Sequence, residues 1–231
     1  MKKKILITLS ILLFLAGLTV ILYPKLQNLM YDLNTAHKEK VYFEKIDGDP
    51  AFRTALDDLY DQLHQYNIDL YEKKQDKLID PFSYSQPNFD LSGYGIADNC
   101  IGYLRIDKIN INLPIYLGAN VDNLRKGAVH LTETSFPIGG ENTNAVIAAH
   151  RATTRIMFRN IHQLEQGDRV TVNNFRETLT YEVSDIKVIS PTDVNSLLIQ
   201  DGRDLITLIS CHPYPHNYQR YVVFCERIGA T

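Results

Sequence analysis

Hydrophobic residues fall along this chain in successive regimes, each with its own period. From Ile5 to Tyr23 they form an almost unbroken run, "ILITLSILLFLAGLTVILY", interrupted only by weakly polar residues such as Thr8, Ser10 and Thr19. At about 1.5 Å of rise per residue, a helix of that length nearly spans the roughly 30 Å hydrocarbon layer of a bilayer. From Pro24 to about Lys77 the apolar positions thin to helical spacing, with Leu56, Leu59 and Leu63 in one part and Ile68 and Tyr71 further on. This spacing predicts two or three amphipathic helices, broken near Gly48, Asp49 and Pro50. The stretch "IDPFSYSQPNFDLSGYG", from Ile79 to Gly95, has no period at all. It predicts a long loop, and its aromatic residues predict that part of it packs against the body of the protein.

After Cys100 the spacing becomes that of strands. "IGYLRIDKININLPIYLG", "NAVIAAH", "RVTVNN", "TLTYEVSDIKVIS", "LITLISC" and "RYVVFCERI" are β-branched and aromatic, alternate in parts, and are separated by turn residues. One short helix interrupts them, with Phe158, Ile161 and Leu164 on one face and Gly167 placed to end it. The expected fold is mainly β, a closed barrel with short helices, because closure removes exposed strand edges. The expected organisation is a membrane anchor over 1–24, a helical collar over 25–78, a loop over 79–97 and a β domain over 98–231.

Charge adds a direction. Lys2, Lys3 and Lys4 precede the apolar run and should stay cytoplasmic, which sends the remainder of the chain outside the membrane. The run continues into Leu22, Tyr23 and Pro24 without a small-x-small cleavage site, a pattern that favours an uncleaved anchor over a signal peptide. With 231 residues, 45% of them hydrophobic, and a net charge of −3, the chain can bury one substantial core and offers no electrostatic case for binding nucleic acid. Cys100, Cys211 and Cys225 are an odd set, too far apart for a CxxC pair. Cys100 and Cys225 read as small buried hydrophobes.

Cys211 reads differently. It closes "LITLISC" as His150 closes "NAVIAAH", so two strands deliver a thiol and an imidazole, the pairing that nucleophilic catalysis by cysteine requires. Arg220, at the start of the next strand, could return to the same rim as a permanent cation able to hold an oxyanion or a substrate carbonyl. A metal cluster of Cys211, His212 and His216 is disfavoured, since adjacent ligands chelate poorly and no second pair completes a tetrahedral set. Gly139 and Gly140 lack the Lys-Ser/Thr of a phosphate loop and read as a turn.

The run "TLISC" followed by Arg220, together with "AAHR" before a short helix and "GD", resembles the signature of the sortases, membrane-anchored cysteine transpeptidases of Gram-positive bacterial surfaces. "IGYLRIDKININLPIY", "LRKGAVHLTETSFPIGGENTNAVIAAHR", "MFRNIHQLEQGD" and "CHPYPHNYQR" follow that family in order and spacing. Within it the chain is most similar to class C, the pilus-assembling sortases. There the "DPF" at Asp80, Pro81 and Phe82 resembles a lid motif whose aspartate approaches the cysteine and whose aromatic ring covers the neighbouring site. His212 stands where the family usually has threonine, Pro215 where it has glycine, and Gln219 where a histidine often precedes the arginine; Pro215 should stiffen its loop.

The resemblance implies an extracytoplasmic enzyme in which Cys211 attacks an LPxTG-like sorting signal, His150 acts as acid and base, and Arg220 steadies the oxyanion. It implies no metal or organic cofactor. Implied partners are pilin or other surface-protein substrates, with a pilin lysine as acceptor; the alternatives are anchoring to a peptidoglycan precursor, or a non-catalytic surface β domain. His130, in "GAVHL", matches a family histidine outside the catalytic set and reads as structural.

Overall fold

The computed structural model describes residues 2–73, 75, 78, 80, 85–151 and 157–229. Helix α1 covers Lys2–Gly48 and runs unbroken through Pro24, where a helix end would have separated anchor from collar. The proline removes a single N–H from a helix of about 70 Å, which has many turns on either side to hold its path. Residues of the apolar run face outward along it, Phe14 at 70% and Val20 at 74% exposure. This is the one helix among the described residues long and apolar enough to cross a membrane.

The break at Gly48, Asp49 and Pro50 is a helix-to-helix joint. Asp49 caps α2 (Pro50–Glu72) by accepting from the backbone N–H groups of Ala51 at 2.9 Å and Phe52 at 3.2 Å. Pro50 begins the helix, where its missing N–H costs nothing. α2 buries Leu56, Leu59, Leu63, Asn67 and Leu70 against the β domain. Ile68, expected on that face, is exposed; Asn67 and Leu70 keep the i+4 and i+3 steps from Leu63 that the packing follows.

The β domain is a closed barrel. Its strands are β1 (Cys100–Ile106), β2 (Ile111–Leu117), β3 (Ala128–His130), β4 (Thr143–Ala148), β5 (Arg169–Asn174), β6 (Thr178–Ile189), β7 (Asp204–His212) and β8 (Gln219–Arg227), with a short helix α3 (Val121–Lys126) before β3. They close in the order β1-β2-β3-β4-β7-β8-β6-β5. β2–β3 and β4–β7 are parallel and the other pairs antiparallel. The helix expected around Phe158 is a 3-10 segment, Phe158–Gln163, that buries Phe158 and Ile161. Leu164 is already extended at its end, and Gly167, at φ +91°, serves the turn into β5 instead.

Alternation along the strands divides the core into two layers. Residues such as Leu104, Leu113, Ile147, Ile206, Leu208 and Val223 fill the barrel interior together with Leu59 and Leu63 of α2. Val129, Val146, Ala148, Ile209 and Val222 form a second apolar layer on the outer face, covered by Leu124 of α3 and by Leu78 and Leu197. The candidate site lies at the edge of this second layer.

Candidate active site

β4 and β7 run side by side with a constant register, from Thr143 opposite Asp204 to Ala148 opposite Ile209. Contacts continue that register past the end of β4. The Ala149 N–H donates to the Ile209 carbonyl at 3.3 Å, and the buried Ser210 hydroxyl donates to the Ala149 carbonyl at 2.8 Å. Arg151 Nη1 then meets His212 Nδ1 at 3.1 Å. His150 and Cys211 therefore occupy neighbouring positions on adjacent strands. Each follows by two residues a member of the outer apolar layer, Ala148 and Ile209, so alternation turns imidazole and thiol to one face.

Arg220 completes the row. It lies directly opposite Cys211 in the antiparallel β7–β8 pair and shares its face with Val222. The side chain is buried, at 6% exposure, and its donors are engaged: Nη1 to the carbonyls of Asn217 at 2.8 Å and Gln219 at 3.0 Å, Nε to Asp80 Oδ1 at 2.8 Å, and Nη2 to Asp80 Oδ2 at 2.7 Å. A bidentate carboxylate with two backbone carbonyls engages four of the five N–H donors of this guanidinium in a low-dielectric place.

Burial pushes the Cys211 thiol above its ordinary value; Arg220 opposes the shift and the Asp80 carboxylate reinforces it. Burial, then the Arg125 charge on α3, lowers the His150 imidazole. In this arrangement the thiol and the imidazole are therefore both biased toward their neutral forms at neutral pH. The other two cysteines are buried and free, Cys100 with its thiol pushed up to about 12 by desolvation. His130 is fully buried against Phe136, its Nε2 3.0 Å from the Ser135 carbonyl and its pKa lowered to about 4 by desolvation. These three are core residues, as read from the sequence.

Asp80 reaches Arg220 from a segment tied down on both sides. Before it, Gln75 is buried with φ +46°; its side-chain amide donates to the Glu133 carbonyl at 3.2 Å and its oxygen accepts from the Ile199 N–H at 2.6 Å. Leu78 packs into the outer apolar layer. After it, Thr132 donates to the Gln86 carbonyl at 2.8 Å, Asn88 donates to the Tyr66 hydroxyl at 2.6 Å, and Pro87 lies against Gly118. Phe82, the expected covering ring, lies outside the described residues.

Sequence reasoning missed Gln75, which carries no motif and whose partners stand 58 and 124 residues away in the chain. It also missed the pairing of Arg151 with His212, although "AAHR" and His212 had both drawn notice. Among the described residues, no group of three or more His, Cys, Asp and Glu side chains is placed to hold a metal ion.

A closed barrel carrying a thiol, an imidazole and a buried guanidinium in one row on its outer face is the architecture of a class of cysteine transpeptidases. The chain belongs to the sortase family: the family model described as "Sortase domain" matches residues 104–228. Sortase D of Bacillus subtilis (strain 168) is 31% identical over 130 residues, which cover 55% of this chain and 63% of that protein, just under two thirds of its length. Among solved structures, sortase C1 of GBS pilus island 1 superimposes with a TM-score of 0.75 at 31% identity, covering 84% of this chain and 93% of its own. Streptococcus pneumoniae sortase C superimposes with a TM-score of 0.74 at 32% identity, covering 84% of this chain and 98% of its own.

Proposed function

We propose that this protein is a membrane-anchored, extracytoplasmic transpeptidase of the pilus-assembling kind. The observation that carries the reading is the row His150, Cys211, Arg220 across β4, β7 and β8, which puts a nucleophile between an acid-base group and a fixed cation. The first half of α1 spans the bilayer with Lys2, Lys3 and Lys4 inside, and the rest of the chain stands outside.

The Cys211 sulfur, losing its proton to His150, attacks the carbonyl carbon of the threonine in an LPxTG-like signal. The tetrahedral oxyanion faces Arg220, whose guanidinium stabilises developing charge only once Asp80 has withdrawn. The Thr–Gly C–N bond breaks, the departing amine takes the proton from His150, and a thioester remains on Cys211. An acceptor amine then attacks the thioester carbonyl and gives its proton to His150; the C–S bond breaks as the new amide forms, and the departing Cys211 thiolate takes that proton back from His150. Two observations favour a pilin lysine as acceptor: the likeness to sortase C structures, and an aspartate seated on Arg220 from a preceding loop, as in the class C lid motif. Asp80 and Phe82 belong to that lid, which shuts the enzyme until a substrate or partner displaces it.

The test is intact-mass spectrometry of the full chain in detergent after incubation with an LPxTG-type peptide, then with a lysine-bearing acceptor peptide. A thioester adduct that hydroxylamine removes, that Cys211→Ala abolishes and that His150→Ala and Arg220→Ala greatly slow is expected. Adducts that persist in Cys211→Ala, or none with any of a panel of sorting signals after the lid is weakened by Asp80→Ala, would sink the reading.

A further inference from the structure

The side chains that hold the ends of β4 and β7 together lie on the face opposite the thiol. His212 alternates with Cys211 and so turns toward the barrel mouth on the side of the inner layer, as does Tyr221, which packs on that layer. Arg151 is wedged between them: Nη1 to His212 Nδ1 at 3.1 Å, Nε to the Arg159 carbonyl at 3.4 Å, and the guanidinium 5.8 Å from the Tyr221 ring centroid. The His212 and Tyr221 rings are 5.7 Å apart. Backbone bonding between β4 and β7 continues to Ala149, and beyond it this side-chain pair also links the two strands. It brackets His150, whose carbonyl also accepts from the Phe158 N–H at 3.1 Å.

Arg151 has only donors, so the His212 Nδ1 that meets it must be the acceptor. The imidazole is then neutral, with its proton on Nε2. Protonating Nδ1 would replace the hydrogen bond by two facing cations. The charged and titratable side chains that face His212 among the described residues are Arg151, from the β4 end, and Tyr221, from β8. No carboxylate is among them, so nothing described there would compensate a second positive charge.

We propose that His212 is a positioning residue: through Arg151 its neutral form holds the end of β4, and with it His150, in register with Cys211, and protonation of His212 releases that hold. The proposal rests on the transpeptidase reading for its effect on turnover, but the clamp itself is a property of the fold. Burial and the Arg151 charge lower the imidazole pKa, which keeps the clamp closed at neutral pH.

The conservative variant is His212→Asn, whose amide oxygen can replace Nδ1 as acceptor and cannot titrate; His212→Ala removes the acceptor. The full chain in detergent, labelled with 15N, would be followed by NMR from pH 5 to pH 8. Expected are an Nε2-H tautomer for His212 at neutral pH, and Ala149, His150 and Arg151 amide signals that shift with the His212 midpoint in the parent protein but not in His212→Asn. In turnover, His212→Ala should lower kcat about tenfold with KM little changed. His212→Asn should keep most of the parent kcat and lose one of two protons from the acid side of the pH profile. An Nδ1-H tautomer, or amide shifts unchanged by both substitutions, would overturn the clamp even if the protein proved not to be a transpeptidase. A parent protein without turnover but with the expected NMR behaviour would instead count against the enzymatic reading alone. Parent-like kcat and pH profile in both variants would overturn the role in positioning.

Discussion

Asp80 occupies Arg220 through two short hydrogen bonds, Nε to Oδ1 at 2.8 Å and Nη2 to Oδ2 at 2.7 Å, directly across the β7–β8 pair from Cys211. One carboxylate thus has two effects: it neutralises the cation an oxyanion would need, and it raises the thiol pKa. Asp80→Ala should remove both and increase Cys211 alkylation by iodoacetamide near neutral pH about tenfold, because the thiolate is the reactive form and a cause that disfavours it is gone. Asp80→Asn, which can still hydrogen-bond but carries no charge, should fall between. Alkylation rates in both variants equal to the parent's would show that Asp80 neither shields the thiol nor biases its charge.

The pH profile follows from the opposed shifts of Cys211 and His150. In the proposed mechanism the reactive pair is thiolate with imidazolium, yet each group prefers its neutral form, so the ion pair is a minor fraction at neutral pH. The macroscopic profile of kcat/KM should be a broad plateau, with an acid limb below the ordinary histidine value, set by His150 and steepened by His212, and an alkaline limb above the ordinary cysteine value. Asp80→Ala should draw the alkaline limb downward, because a cause that raises the thiol is gone, and should lift the plateau. The acid limb should barely move, since Asp80 is not among the causes of the His150 shift. A parent profile with limbs at the ordinary values of free histidine and cysteine would contradict these environments.

The apolar run, the strand segments and the two strand ends that carry His150 and Cys211 were legible because each is a local pattern: a period, a β-branched run, a reactive residue at its end. The joint at Asp49 was readable as a break, but not as a cap between two continuous helices, since Pro24 reads as a helix end when only local chemistry is considered. What no local pattern encodes is register. That Ala148 pairs with Ile209, and hence His150 neighbours Cys211, depends on two strands separated by tens of residues meeting at one offset. Gln75 is a stronger case: an unremarkable polar residue becomes a bridge because two distant backbone groups come to it. Where the family resemblance supplied a residue, as with Asp80, the structure adds its partner, the Arg220 guanidinium.

Asn67 joins α2 to the barrel with a pair of buried bonds. Its Nδ2 donates to the Phe136 carbonyl at 3.2 Å and its Oδ1 accepts from the Phe136 N–H at 2.7 Å. Asn67→Ala leaves both backbone groups buried without partners and should cost about 2–4 kcal/mol. For a chain of this size that is a fall in Tm of roughly 5–15 °C. Differential scanning calorimetry of the detergent-solubilised protein would measure it. A fall of a degree or less would mean that water reaches Phe136 and the joint is not sealed.

The described residues on either side of Asp80 are held by different means, and this allows the opening of the proposed lid to be tested as a single motion. At the front, Gln75 ties the segment to Glu133 and Ile199. At the back, Gly118, at φ +83°, leaves room for Pro87; a Cβ there would collide with the Pro87 backbone, and the left-handed backbone conformation is itself strained for any other residue. Gln75→Ala removes two hydrogen bonds of the closed form, about 1–3 kcal/mol in all. It should raise Cys211 alkylation roughly 5- to 160-fold and speed hydrogen exchange at the Ile199 amide. Gly118→Ala should act from the other end on the same alkylation rate while leaving Ile199 exchange near the parent's. If the segment from 75 to 88 leaves as one body, both substitutions act on a single opening equilibrium, and the double variant should gain close to the product of the two while the closed form still predominates. A double variant that gains only the sum of the two effects would instead mean two independently moving ends, and no change in alkylation from either would place the control of Cys211 elsewhere.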